Sequence, residues 1–369
     1  MIIIYLAIGL VIAAFIYLAY IDSKKAIKSL IGLGIFTFFI LAVYLFSFNV
    51  SDQLSEAFAS LEFLLMLFLE QLLNGVQLGM MLFLMAAGLT LIFGIMHLIN
   101  LAHGSFYMVG AYVTATVSLA SGSFALGLVG GCLAAAACGV LIEMLAMRHL
   151  YHRDHLDQVL ATFGIILTAN EATKMIFGPQ ALFLNPPAWL SATVNILPET
   201  PYPAYRLFVI AAGIVVALFL RHVITHTRIG MLIRAGATHR EMVTALGFNI
   251  SLLFTLVFAL GAALAGLAGG LAGPLLAIEV GMGEQILILT FVVIIIGGIG
   301  SVKGALVAGL LVGIVDTLSR AFLPTVLKTT LPAASADALA GSVSSMAIYI
   351  LMAVVLVVRP QGLYHAYGT

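Results

Sequence analysis

Long apolar runs, separated by short polar, proline or glycine breaks, dominate this chain from its first residues to its last. A helix that crosses a bilayer needs about 20 mostly apolar residues. Segments 2–20, 30–49, 73–97, 104–120, 123–147, 158–177, 207–224, 251–273, 284–300, 304–322 and 341–358 meet or approach that length. The pattern predicts an all-α, polytopic transmembrane helix bundle of about 10–11 membrane segments, some of them broken or half-length. The stretch 51–72 reads differently. Ser51, Asp52, Glu56, Glu62 and Glu70 are scattered among Leu and Phe, which predicts an amphipathic helix lying at an interface. Residues 178–206, with six prolines and the single tryptophan Trp189, and residues 323–340, with Pro324 and Pro332, are expected to be irregular loops.

Composition agrees with lipid as the solvent. The chain is 63% hydrophobic and 8% charged, with a mean hydropathy of +1.20. Soluble domains carry about 25% charged residues. The formal net charge is zero and no basic run occurs, so nothing points to nucleic acid. Residues 1–20 are not a signal peptide by pattern, because Lys24, Lys25 and Lys28 follow the apolar run rather than precede it.

Positive charge orients the crossings. With loop 225–250 in the cytoplasm, Lys24, Lys25, Lys28, Arg148, Arg153, Arg221, Arg228, Arg234, Arg240, Lys303 and Arg359 fall inside. Lys174, Arg206, Arg320 and Lys328 fall outside. The expected N-terminus is then external and the C-terminus cytoplasmic. The weak point of the count is the break at 98–103, whose depth the sequence leaves open.

Candidate chemistry is sparse. There is no phosphate-binding G-x-x-x-x-G-K-[ST] loop, G-x-S-x-G or H-E-x-x-H, so no enzyme activity is expected and any ATP hydrolysis belongs to other chains. No cofactor or metal is expected on this chain. His149, His152 and His155 read as a solvated loop more readily than as a metal site. Cys132 and Cys138, six apart in an apolar run, read as packing residues. Glu171/Lys174 and Asp316/Arg320 read as local ion pairs, and Glu143 stands five before Arg148. Glycines four apart (75/79, 127/131, 266/270, 269/273, 300/304, 309/313) read mainly as close helix packing. Others accompany polar residues and mark a candidate passage: Asn100, His103 and Gly104, with Gly297 and Gly298. Asn100 or His103 would either cap the following helix or line a path, its exposed N–H groups facing an anionic ligand group. The loop 225–250 contains a predicted short helix, 237–246, stopped at Gly247.

Several stretches, taken in order, resemble the permease subunits of the branched-chain amino acid (Liv-type) ABC importers. They are FLEQLLNG (68–75), GLTLIFG (88–94), NLAHG (100–104), RDHLDQVLATFG (153–164), the loop 234–247, GGIGSVKG (297–304) and RPQGL (359–363). The similarity covers 64–113 and 148–363. It implies a permease domain over 61–369, preceded by additional N-terminal membrane helices in 1–60 on whose role the resemblance is silent. It further implies a bacterial plasma-membrane location, a second permease subunit, cytoplasmic ATP-binding subunits and an external solute-binding protein. The 234–247 segment would be the helix that docks on an ATPase, with Arg234, Ala237, Arg240, Glu241, Ala245 and Gly247 as its key positions. Val243 departs from the small residue often found there. Because the family also carries urea, short amides and aromatic acids, the solute stays open. An ion-coupled secondary transporter and a passive channel are the competing classes. The first lacks the intramembrane carboxylates expected of it, and the second has no need of the 234–247 loop.

Overall fold

The computed structural model describes residues 54–364, apart from 97, 99, 152, 198, 199, 239 and 330, and side chains from 64 onward without those of 196–200 and 237–241. The segments expected at 2–20 and 30–49 lie outside the described residues. The other nine apolar runs all fall on helices: α1 (Leu54–Met96), α2 (His103–Ser121), α3 (Phe124–Leu150), α4 (His155–Phe177), α5 (Ala204–His226), α8 (Ile250–Ala272), α9 (Met282–Gly297), α10 (Val302–Lys328) and α11 (Ala333–Val358). Two short helices, α6 (Arg228–Thr238) and α7 (Arg240–Ala245), lie between α5 and α8. Among the described residues seven helices are long and apolar enough to cross a membrane, and α9 is a shorter apolar helix of 16 residues.

α1 is the central post. From Met80 to Ile92 its hydrophobic side chains are at most 6% exposed. Neighbours reach it through glycine. A Cβ on Gly75 would stand 2.7 Å from the Ile314 Cα, and one on Gly79 2.7 Å from the Leu310 Cα, while Gly309 and Gly313 of α10 face the Gly79 and Gly75 backbones in return. The two four-residue glycine pairs therefore form a single antiparallel contact of α1 with α10. α8 crosses α1 where Gly88 meets Gly261 and crosses α2 where Gly110 meets Gly266. α3, α4, α5, α10 and α11 form the rim. Exposed Leu133, Leu145, Leu160, Phe163, Val215, Leu218 and Ile350 on four of them would be costly in water and suit lipid.

The structure corrects four expectations. Segment 51–72 is no separate interfacial helix, because from residue 54 it is continuous with the spanning part of α1. The reason is local: 54–74 is rich in Leu, Phe, Glu, Ala and Met and contains neither proline nor glycine, so nothing stops the helix. Loop 178–206 is partly ordered as an antiparallel hairpin of β1 (Thr193–Leu197) and β2 (Thr200–Pro203). Asn74 of α1 holds that hairpin, its Oδ1 accepting from the Tyr202 hydroxyl at 3.0 Å and from Arg206. Burial pushes the Tyr202 phenol above its ordinary pKa. Pro324 does not end its helix but sits inside α10, five residues before Thr329, where a freed carbonyl near the helix end is easily met. The loop helix expected at 237–246 starts earlier, at Arg228, and α6 is fixed by Arg234, which donates to the Ile224 carbonyl of α5.

The expected ion pairs form at 2.5 Å for Lys174–Glu171 and 2.9 Å for Arg320–Asp316. Glu143 and Arg148 pair at 3.1 Å through an unusual device. Residues Glu143–Met147 make a π turn. Its i,i+5 bonding brings residues five apart into line, which a regular α-helix does not. Glu143, with a fully buried side chain, also accepts from Tyr151 Oη at 2.5 Å and Thr255 Oγ1 at 2.7 Å, so α3 is tied to α8.

Candidate functional site

Between α1 and α2 the chain turns inside the bundle. Leu98, Asn100, Ala102 and His103 are 0% exposed, so these positions of the break lie inside the bundle. α2 starts alongside the middle of α1: His103 Nε2 stands 3.0 Å from where a Cβ on Gly88 would lie, and its ring interacts with the Met85 backbone without a well-formed hydrogen bond. The GLTLIFG and NLAHG stretches thus meet. Neither Asn100 nor His103 caps α2. The N-cap residue is Ala102, which makes no side-chain cap. Both polar atoms of the Asn100 amide and the Thr90 hydroxyl lack partners. Buried amides are nearly always satisfied, so this set is a structural anomaly of the kind that accompanies a passage or a ligand.

Gly104, the second residue of α2, meets Gly283, the second residue of α9. A Cβ on Gly104 would lie 2.5 Å from the Gly283 carbonyl oxygen and 2.7 Å from its carbon, and Gly283 faces Gly104 in the same way. Two helix N-termini are therefore pressed backbone to backbone in the interior. Residue 284, next in line, is a glutamate. Its Oε1 accepts from Asn170 Nδ2 of α4 at 2.7 Å, while its Oε2 and the Asn170 Oδ1 are buried without partners. Sequence reasoning passed over both residues. The available signal was a lone carboxylate directly after a glycine at the start of an apolar run; its partner, 114 positions earlier, carries no signal of its own.

The structure does not bring Gly297 and Gly298 to this junction. They lie at the opposite end of α9, about 20 Å away at 1.5 Å rise per residue. Gly297 packs on Gly304, and Gly298, at φ 96°, lies under the chain at 361–364. Leu363 and Tyr364 donate to the Ile296 and Gly297 carbonyls at 2.8 and 3.0 Å. GGIGSVKG and RPQGL thus form one packed corner. Another turn is closed by Gln158, which donates to the Leu150 and Arg153 carbonyls, both at 3.2 Å.

At that same end of the bundle, α6 and α7 carry the expected ATPase-facing positions. Ala245 is exposed and Gly247, at φ 85°, ends α7 with nothing near it. Val243 is 4% exposed and packs inward, so it is not a surface departure. Met242, Leu246 and Phe248 are 60, 70 and 50% exposed, an apolar face beside the stop. The side chains of Ala237, Arg240 and Glu241 lie outside the described set. Among the described residues no group of three His, Cys, Asp or Glu is placed to hold a metal ion.

The fold and this interior break define a polytopic helical transport protein. Residues 71–357 match the family model described as branched-chain amino acid transport system, permease component. The chain is 30% identical over 318 residues to the high-affinity branched-chain amino acid transport system permease protein LivH of Escherichia coli and of Salmonella typhimurium, covering 80% of this chain and 95% of each relative. It is 28% identical over 322 residues to BraD, the corresponding permease protein of Pseudomonas aeruginosa, with the same coverage. No solved structure matches it. The chain belongs to the branched-chain amino acid transport permease family and is a membrane permease subunit of an ABC importer.

Proposed function

We propose that this permease forms the translocation path for branched-chain amino acids, working with a second permease subunit, two cytoplasmic ATP-binding subunits and an external solute-binding protein. The similarity to LivH and BraD over 80% of the chain carries the reading, since both are named for branched-chain amino acid transport. In this reading the path passes Asn100, His103 and Gly104, follows α9 and leaves near Gly297 and Gly298. Unpartnered buried polar atoms at the first group support it. Arg234, Ala237, Arg240, Glu241, Ala245 and Gly247 belong to the element that receives ATPase motion, and the exposed apolar face of Met242, Leu246 and Phe248 beside them supports a protein partner there. The N-terminus is external and the C-terminus cytoplasmic, on the inside-positive count. This chain holds no cofactor of its own, and residues 1–60 are an addition to the 61–369 permease domain.

The test is reconstitution. The complex in proteoliposomes, with ATP inside and loaded binding protein outside, is expected to accumulate leucine, isoleucine or valine. Accumulation driven by an ion gradient without ATP would favour a secondary transporter. Uptake of urea or a short amide with no branched-chain amino acid uptake would move the substrate assignment to that class.

A further inference from the structure

We propose that Glu284 and Asn170 receive the ammonium group of a zwitterionic solute, whose carboxylate is received by the α2 N-terminus with Asn100. The proposal rests on the amino acid reading above and adds the residues that recognise the charged backbone of such a solute.

Three observations converge. The first is chemical imbalance at the Glu284–Asn170 pair. One hydrogen bond joins them at 2.7 Å, which leaves two buried oxygens, Glu284 Oε2 and Asn170 Oδ1, without donors. An ammonium group has three donors and no acceptor, which is the complement of that pair. The second is the opposite imbalance one contact away. α2 begins without a side-chain cap; the His103 and Ser105 N–H groups donate to the Asn100 and Ala102 carbonyls, which leaves the Gly104 N–H for an anion, and beside it the Asn100 side chain is 0% exposed with both polar atoms unpartnered. The third is proximity. Gly104 and Gly283 touch through their backbones, so the start of α2 and the acceptor pair beside α9 are neighbours. With the two glycines in contact the junction is closed, and a solute is received when they part. A neutral amide brings donors but no charge to match the buried carboxylate, and an aromatic acid without an amine would be repelled by it.

The experiment uses the complete complex in proteoliposomes at saturating loaded binding protein. Glu284→Gln keeps the shape and removes the charge. Its maximal leucine uptake is expected to fall about tenfold or more, the effect of losing one charge-assisted hydrogen bond. Half-saturation is set by the binding protein and is expected to stay as in the wild type. Glu284→Asp, which keeps the charge, is expected to retain clearly more uptake than Glu284→Gln. Equal rates in wild type and Glu284→Gln, or equal losses in Gln and Asp variants, would overturn the proposal. Should the Gln variant fail to assemble, Asn170→Ala replaces it: a several-fold drop in maximal uptake supports the assignment and an unchanged rate removes it. A wild-type complex that carries no amino acid would instead refute the functional reading itself.

Discussion

Gly104 shows how one missing side chain shapes the interior. Its neighbour is backbone, the Gly283 carbonyl, which cannot rotate aside as a side-chain tip would. Gly104→Leu is therefore expected to abolish uptake, and Gly104→Ala to reduce it strongly, while size-exclusion chromatography still finds the assembled complex. Gly164 is the control, because a Cβ there meets nothing within 4 Å. Normal transport by Gly104→Leu would reduce the junction to a packing detail. Glu143 is the second residue with a large expected effect. Removing its carboxylate leaves Arg148, Tyr151 and Thr255 without their shared acceptor. Breaking a buried ion pair costs about 3–5 kcal/mol, and less here because the Arg148 side chain is 38% exposed. Glu143→Ala should lower the thermal unfolding midpoint in detergent by several degrees; an unchanged midpoint would show that the knot is dispensable. The sequence displays the five-residue spacing of this pair but not the π turn that closes it. It displays the polarity of Asn100 and His103 but not that Ala102 takes the cap position and leaves Asn100 unmatched. Glu284 was illegible for a stronger reason. Its meaning depends on Asn170, and tertiary contact between residues 114 apart has no periodic signature.

Elements were read better than residues, because twenty apolar positions in a row have few other solutions. The described runs became helices with ends shifted by a few residues. Misreadings arose where local chemistry and the surroundings disagreed. Scattered acids at 51–72 resembled an amphipathic pattern, yet a stretch free of glycine and proline simply extends α1. Glycine spacing disclosed packing faces without naming their partners, and only the structure shows that 75/79 and 309/313 are two sides of one contact. At α7, Val243 turns inward while Met242 and Leu246 lie outward and uncovered. This helix is well placed to be pressed on by a partner. Glu241→Lys reverses a charge on this element. If Glu241 meets a basic residue in an ATPase groove, the loss is about 2–5 kcal/mol, or a factor of at least tens in affinity. A pull-down of the ATP-binding subunit is expected to fail with Glu241→Lys, uptake to vanish, and binding-protein docking on the opposite face to persist. Full ATPase recovery with full uptake would leave α7 as a connector lying in the headgroups.

At the scale of the molecule, charge and packing report the same alternation of crossings. Arg148 meets the start of α8, Arg234 meets the end of α5, and Lys303 and Arg359 flank the corner where the end of α9 meets the 361–364 tail. Arg206 is at the other end, beside Asn74, near Tyr205, whose hydroxyl donates to the Leu271 carbonyl at the end of α8. Lys328 is paired there with Asp337, bridging the end of α10 and the start of α11 at 2.8 Å. The cations named here therefore lie at opposite ends of an antiparallel bundle, although α2 begins midway through it; Lys24, Lys25 and Lys28 of the count lie outside the described residues. The excess of Lys and Arg at the first end predicts that this end faces the cytoplasm. Single cysteines at Ser191 and Thr244, both exposed, test this in a background where Cys132 and Cys138 are replaced by alanine. In intact cells a membrane-impermeant maleimide is expected to label the Ser191 site and to reach the Thr244 site only after permeabilisation. The reverse pattern would invert the whole molecule. It would place α6 and α7 out of reach of any cytoplasmic ATPase, so this one measurement also decides whether the coupling assigned to that segment is geometrically possible.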